Sequence, residues 1–174
     1  MAAQAQDVQV DRQAIVDQLH NYARAMDRID HALGYAVWHE DGTADYGPMF
    51  SGTGRAFVDW ACETHGGMIA HAHRISNILI RVEGEQARSE AYVHATLRFE
   101  QGGGLRQASV FGRYLDRWSK RDGRWAIGAR VYVQDFDDIR DVGTQIITPW
   151  GRRDRSDPSY AILNGDEFAS NSAR

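Results

Sequence analysis

Apolar residues recur early in the chain at alternating steps of four and three, at Ile15, Leu19, Tyr22, Met26 and Ile29. That is the spacing of one helical face, and it predicts an amphipathic helix from Asp11 onward. Asp27-Arg28-Ile29-Asp30-His31 interrupts it; Ala32 to Trp38 predicts a second short helical segment, ended by a turn at Glu40-Asp41-Gly42-Thr43. Ala44-Asp45-Tyr46 reads as a short strand before Gly47-Pro48, and Arg55 to Glu63 as a further helix behind Gly52 and Gly54.

From about His71 the pattern changes. Ile75, Ile78, Leu79, Ile80 and Val82 form a β-branched-rich run closed by Glu83-Gly84-Glu85. Ala87 to Phe99 then alternates strictly, with Ala87, Ser89, Ala91, Val93, Ala95, Leu97 and Phe99 on one face and Arg88, Glu90, Tyr92, His94, Thr96 and Arg98 on the other. Gln101-Gly102-Gly103-Gly104 turns this run into Gln107 to Trp118, and Lys120-Arg121-Asp122-Gly123 turns that into Trp125 to Phe136. Helices first and hairpins afterwards predict an α+β fold, with the helices on one face of a curved antiparallel sheet. Residues 1–140 are expected to form the domain, and residues 141–174, which show no period, an extension that covers a pocket or a neighbouring subunit; beyond Asn164 a disordered end is the alternative.

A length of 174 residues, with 43% hydrophobic and 25% charged, suits one domain with its own core. The net charge is −4 and the basic residues are interspersed with acids, which disfavours a nucleic-acid partner. The single cysteine, Cys62, precludes an internal disulfide framework or a multi-cysteine metal site. It sits in a predicted helix without a base beside it, which argues against covalent catalysis. The first residues lack the charged and apolar regions of a signal peptide, and nothing approaches a membrane span, so a cytoplasmic protein without membrane association is expected. Gly102-Gly103-Gly104 serves a hairpin and lacks the lysine of a phosphate loop, so no nucleotide cofactor is implied.

His71 and His73 lie two apart in a predicted strand and therefore share a face, but two ligands do not make a metal site. More informative is the set of Tyr22 and Asp27 on the first helix, His73 on a strand and Arg130 on the last strand. Tyr-x-x-x-x-Asp ends helix one, His-x-x-x-Asn opens a strand, and Tyr-Leu-Asp-Arg-Trp, Arg-Asp-Gly-Arg-Trp-Ala-Ile and a following Arg close the sheet. In this order and spacing, over about residues 10 to 138, the chain resembles the SnoaL-like branch of the nuclear-transport-factor-2-like superfamily. The resemblance implies a cone of curved antiparallel sheet wrapped round the N-terminal helices.

Within that superfamily the chain is most similar to cofactor-independent lyases: bile-acid 7α-dehydratases, hexachlorocyclohexane dehydrochlorinases and, more distantly, scytalone dehydratases. The resemblance implies that Asp27 pairs with His73. Tyr22 matches the dehydratase pattern, and Arg130 matches the dehydrochlorinase one. An imidazole with a pKa near 6.5 can take a proton at neutral pH when a carboxylate fixes its tautomer. Asp27 then orients, His73 abstracts, Tyr22 donates a hydrogen bond to a departing hydroxyl, and Arg130 stabilises developing negative charge.

Purely structural alternatives stand beside these roles. Asp27 can solvate the helix end and His73 can be a satisfied core histidine. Tyr22 belongs to the apolar stripe and lies about 140° from Asp27 on an ideal helix. Arg130 is an odd number of residues from Trp125, hence on the opposite face of a regular strand, where it either meets a carboxylate or substrate or snorkels outward. Asn77, on the face of His73, is a candidate ligand contact; Trp38, Tyr46, Phe50, Trp60, His94 and Phe111 are candidate pocket walls.

The leading expectation is a cofactor-free dehydratase-like lyase acting on a hydrophobic cyclic or aromatic small molecule. The same residues suit a C–C lyase that releases formaldehyde from a lignin-derived diaryl diol. The rivals are a non-catalytic ligand-binding domain of the same fold and a metal-dependent enzyme using His71 and His73. Homo-oligomerisation, as dimer or trimer, is expected through the outer sheet face.

Overall fold

The computed structural model describes residues 2–143 and 151–165; the expectation of a disordered end beyond Asn164 falls almost wholly outside them. Helix α1 (Ala2–Arg28) begins earlier than its apolar stripe suggests and buries Ile15, Leu19, Tyr22 and Met26 to within 2% exposure. Ile29 ends it with a left-handed φ of 51°, and Asp30 caps α2 (His31–Ala36) by accepting the Leu33 N–H at 3.1 Å. Trp38 is not part of that helix. It opens β1 (Trp38–Asp45), and Glu40-Asp41-Gly42-Thr43, expected as a turn, runs extended within the same strand.

A short β2 (Ser51–Thr53) folds back on β1, and Thr53 caps α3 (Gly54–Gly66) through the Ala56 N–H. Phe57, Val58, Ala61 and Cys62, at helical spacing, bury one face of α3. The chain then crosses to the far edge of the sheet and returns as a meander of β3 (Ala70–Glu83), β4 (Gln86–Gln101), β5 (Gly104–Arg121) and β6 (Arg124–Asp141). Its hairpin turns fall where the glycine patterns place them. The sheet order is β2-β1-β6-β5-β4-β3. It is not antiparallel throughout, because β1 runs parallel to β6. These two strands are remote in sequence and joined by no hairpin, so no local turn signal reports their pairing.

Helices α1 and α3 pack on one face of this six-stranded sheet, which is the expected α+β arrangement. The sheet bends at irregularities where two residues oppose one: Asn77 and Ile78 in β3, Gly128 in β6, and Asp135 in β6. Among the described residues no helix is long and apolar enough to cross a membrane.

The described part of the C-terminal extension is strapped to the end of α1. Its helix α4 (Pro158–Leu163) places Tyr160 to donate to Asp30 at 2.8 Å, while Arg24 donates to Ser159 at 3.0 Å and Arg155 approaches Asp30 at 3.2 Å. Burial works to raise the Asp157 carboxyl, but hydrogen bonds from Ser159 and the Arg152 N–H, with Arg28 at 3.3 Å, outweigh it and hold the carboxyl down at about 2. A depressed carboxyl stabilises the docked segment above its free value near 3.8, and that contribution is lost as pH falls toward about 2. The protection factors of residues 151–165 in amide hydrogen exchange are therefore expected to hold from pH 8 to 5 and to fall below about 4, ahead of those of the sheet. An Asp157→Asn variant should lack this protection throughout; acid-insensitive protection in the unaltered chain would contradict this account.

Candidate functional site

Asp27, in the last turn of α1, faces β3, whereas Tyr22 five residues earlier points into a cavity between the helices and the sheet. The angular separation that set these two residues at odds is resolved by His73. Its ring nitrogen Nδ1 lies 2.8 Å from Asp27 Oδ1, and its backbone N–H donates to both carboxylate oxygens at 3.0 and 3.1 Å. His73 is 7% exposed at its side chain and lines the cavity; Asp27 stands behind it, beside a shallower recess on the outer side of α1. With Nδ1 committed to Asp27, Nε2 is the nitrogen that His73 can present to a ligand.

The cavity holds about 360 Å³ and is walled mainly by apolar and aromatic side chains of α3 and β4 to β6. Phe57, Trp60 and Ala61 come from α3, Val93, Ala95 and Leu97 from β4, Val110 and Tyr114 from β5, and Tyr132 from β6. The inward face of β4 is the apolar face of its sequence alternation. Gly112 sits between Val110 and Tyr114 because a Cβ there would come within 2.6 Å of the Tyr132 ring. Met49, Gln134 and Asp137, all exposed, mark the mouth.

Three tyrosines form the floor. The Tyr22 and Tyr46 hydroxyls are 3.0 Å apart, and the Tyr114 ring meets Tyr22 edge-on at 5.4 Å. Burial raises the Tyr22 pKa and lifts those of Tyr46 and Tyr114 further, so all three remain protonated donors at neutral pH. Beneath them, Arg130 pairs in bidentate fashion with Asp116 at 2.7 and 2.8 Å, both side chains fully buried. Its guanidinium carbon lies 4.2 Å from the Tyr22 ring centre and 4.0 Å from that of Tyr114. Burial opposes its charge, yet Asp116 holds the Arg130 pKa well above the ordinary value.

Several expected positions are corrected. Arg130 shares the inward face with Trp125, because the Gly128 bulge adds a residue and cancels the odd step; it does not line the cavity and reaches it only through the tyrosines. Asn77 is exposed with φ 47° at the β3 bulge, which turns it away from the face of His73. His94 and Phe111 are on the outer face of the sheet, stacked at 4.2 Å and continued by Phe136. Phe50 packs behind the wall against Phe57 and Trp60, and Trp38 lies in the core against Phe57 with Arg130 5.7 Å from its ring. Of the proposed walls, Tyr46 and Trp60 line the cavity. Burial pushes the Cys62 thiol up to about 11, leaving it unreactive at neutral pH.

His71 and His73 have ring centres 6.2 Å apart, and His71 Nε2 is bound to the Met26 carbonyl at 2.9 Å. No cluster of three or more His, Cys, Asp or Glu suited to a metal occurs among the described residues. The pattern did not single out His65, at the end of α3, which lines the cavity 5.2 Å from His73. The one available signal was the crowding of three histidines into residues 65 to 73.

The SnoaL-like domain family matches residues 9–131. No curated protein matches the sequence. A Novosphingobium aromaticivorans protein provisionally named a scytalone dehydratase superposes with a TM-score of 0.69 at 25% identity, covering 85% of this chain and 98% of its own. Another from that organism, provisionally named an aromatic ring hydroxylase, gives 0.65 at 25% identity over 76% and 93%. A hexachlorocyclohexane dehydrochlorinase from Novosphingobium barchaimii gives 0.71 at 14% identity over 83% and 99%, a likeness of fold.

Proposed function

The chain belongs to the SnoaL-like domain family, and from that premise we propose that it is a cofactor-independent lyase eliminating a small group, foremost water, from a hydrophobic cyclic or aromatic molecule. The observation that carries this reading is the 2.8 Å contact of His73 Nδ1 with Asp27 at the wall of an apolar cavity. The carboxylate fixes the tautomer in which Nε2 has a lone pair, and it stabilises the imidazolium that forms. His73 takes a proton from carbon, a C=C bond forms as the C–O bond breaks, and the proton held by the imidazolium ends on the departing oxygen as water.

Tyr22 lines the cavity and offers its hydroxyl to that oxygen. Arg130 is a positioning residue in this scheme: its charge, behind the Tyr22 ring, favours negative charge on whatever oxygen the hydroxyl holds. The provisional dehydratase name of one neighbour and the dehydrochlorinase name of another agree with an elimination.

The test is mass-spectrometric product analysis over hydroxylated steroids, chlorinated rings and diaryl diols, with unaltered and His73→Ala protein after chelation. Loss of water or hydrogen chloride, abolished in the variant, is the expected result. Loss of water plus formaldehyde would move the reading to C–C cleavage. Turnover indifferent to His73 would overturn it in favour of another chemistry, and no turnover on any substrate would overturn it in favour of a binding domain.

A further inference from the structure

His65 is a titratable group inside the cavity that the scheme above does not use, and its surroundings are unusual. Its ring stacks on His71 with centres 4.5 Å apart and an interplanar angle of 23°, and it lies 5.2 Å from His73. Its Nδ1 is sealed from solvent with no hydrogen-bond partner among the described residues. Arg153, from the C-terminal segment, donates to the His65 carbonyl at 2.8 Å and comes within 3.5 Å of His71 Nδ1. The groups facing His65 are thus two imidazoles on β3, with Asp27 of α1 behind one of them, and a guanidinium from the strap.

A sealed imidazole nitrogen beside a cation is better off as a lone pair than as an N–H without an acceptor, which places the proton on Nε2. Burial drives the His65 pKa down to about 3, and His73, His71 and Arg153 add to the effect. His65 is accordingly neutral wherever His73 works, and it does not compete for the proton.

We propose that His65 is a substrate-binding residue that donates its Nε2–H to an oxygen the substrate keeps, next to the carbon from which His73 takes the proton. Resting on the lyase reading for which oxygen leaves, this assigns the site to compounds with two neighbouring oxygen functions, diols in preference to simple alcohols or halides. A cavity walled mainly by apolar and aromatic side chains has little reason to bury a second imidazole with an uncommitted donor unless a ligand oxygen meets it.

The experiment pairs 1,2-bis(4-hydroxyphenyl)ethane-1,2-diol with 1,2-bis(4-hydroxyphenyl)ethanol; both can lose water and both keep their distant phenol oxygens, but only the diol keeps an oxygen on the carbon that gives up the proton. In His65→Phe, which keeps a flat ring against His71, kcat/KM for the diol should fall about 10- to 100-fold, and that for the mono-alcohol by less than about 3-fold. His65→Gln, which restores a donor, should recover part of the loss. Equal losses on both substrates would mark a structural role and overturn the assignment, as would no loss on the diol.

If the unaltered protein turns over neither compound, the lyase reading fails for this class, and calorimetric titration decides the binding claim. Tighter binding of the diol, lost in His65→Phe, upholds it; equal or absent binding of the two overturns it. Nitrogen-15 histidine spectra supply a check independent of either ligand. The Nε2–H tautomer should persist at His65 from pH 5 to 8, and protonation in that range would remove the proposal.

Discussion

Asp27→Asn is expected to lower turnover by about three to four orders of magnitude while leaving the fold intact. Both carboxylate oxygens of Asp27 accept from the His73 backbone N–H, so the single oxygen of an asparagine still anchors the strand. The Asn amide nitrogen, turned toward the ring, would instead donate to Nδ1. That forces the ring proton onto Nε2, the nitrogen that must be bare to accept a proton from carbon. The check is steady-state kinetics beside a urea melt. Turnover within about tenfold of the unaltered protein, with an unchanged melt, would remove Asp27 from the mechanism.

The largest stability effect should come from beneath the cavity. Asp116 on β5 and Arg130 on β6 are register partners, and their side chains are fully buried. Asp116→Ala leaves a guanidinium without its counter-charge in the core, which costs about 3–5 kcal/mol. Joint replacement, Asp116→Ala with Arg130→Met, removes both charges and should be more stable than the single variant. Urea midpoints at constant m measure both. A cost below about 1 kcal/mol for Asp116→Ala would mean that water or movement relieves the charge. In the joint variant the tyrosine hydroxyls lose the cation behind them, so turnover should fall even where stability returns.

Much of the architecture was legible because it depends on local rules. The alternation read over Ala87 to Phe99 is the burial pattern of β4 as far as Ala95, and each glycine-rich turn closes the hairpin it predicts. The β1–β6 pairing escaped because it joins remote segments. Counting by two puts Arg130 on the wrong face because the count fails at a bulge, and Gly128, a glycine inside a strand, is the mark of one. For His94 the parity was already present: Val93 and Ala95 face inward, so their neighbour between them faces outward. His65 carried no periodic signal, since its position is set by where α3 ends against β3.

The hold of Asp27 on both the backbone and the ring of His73 has a mechanical meaning. A carboxylate that meets only the ring of a catalytic imidazole fixes its tautomer and orientation but leaves the strand beneath it free. Here one carboxylate clamps main chain and side chain together, so the ring turns only if the helix–sheet junction shears. The base thus inherits the stiffness of the whole domain, and small displacements of α1 against β3 are displacements of the reactive nitrogen itself.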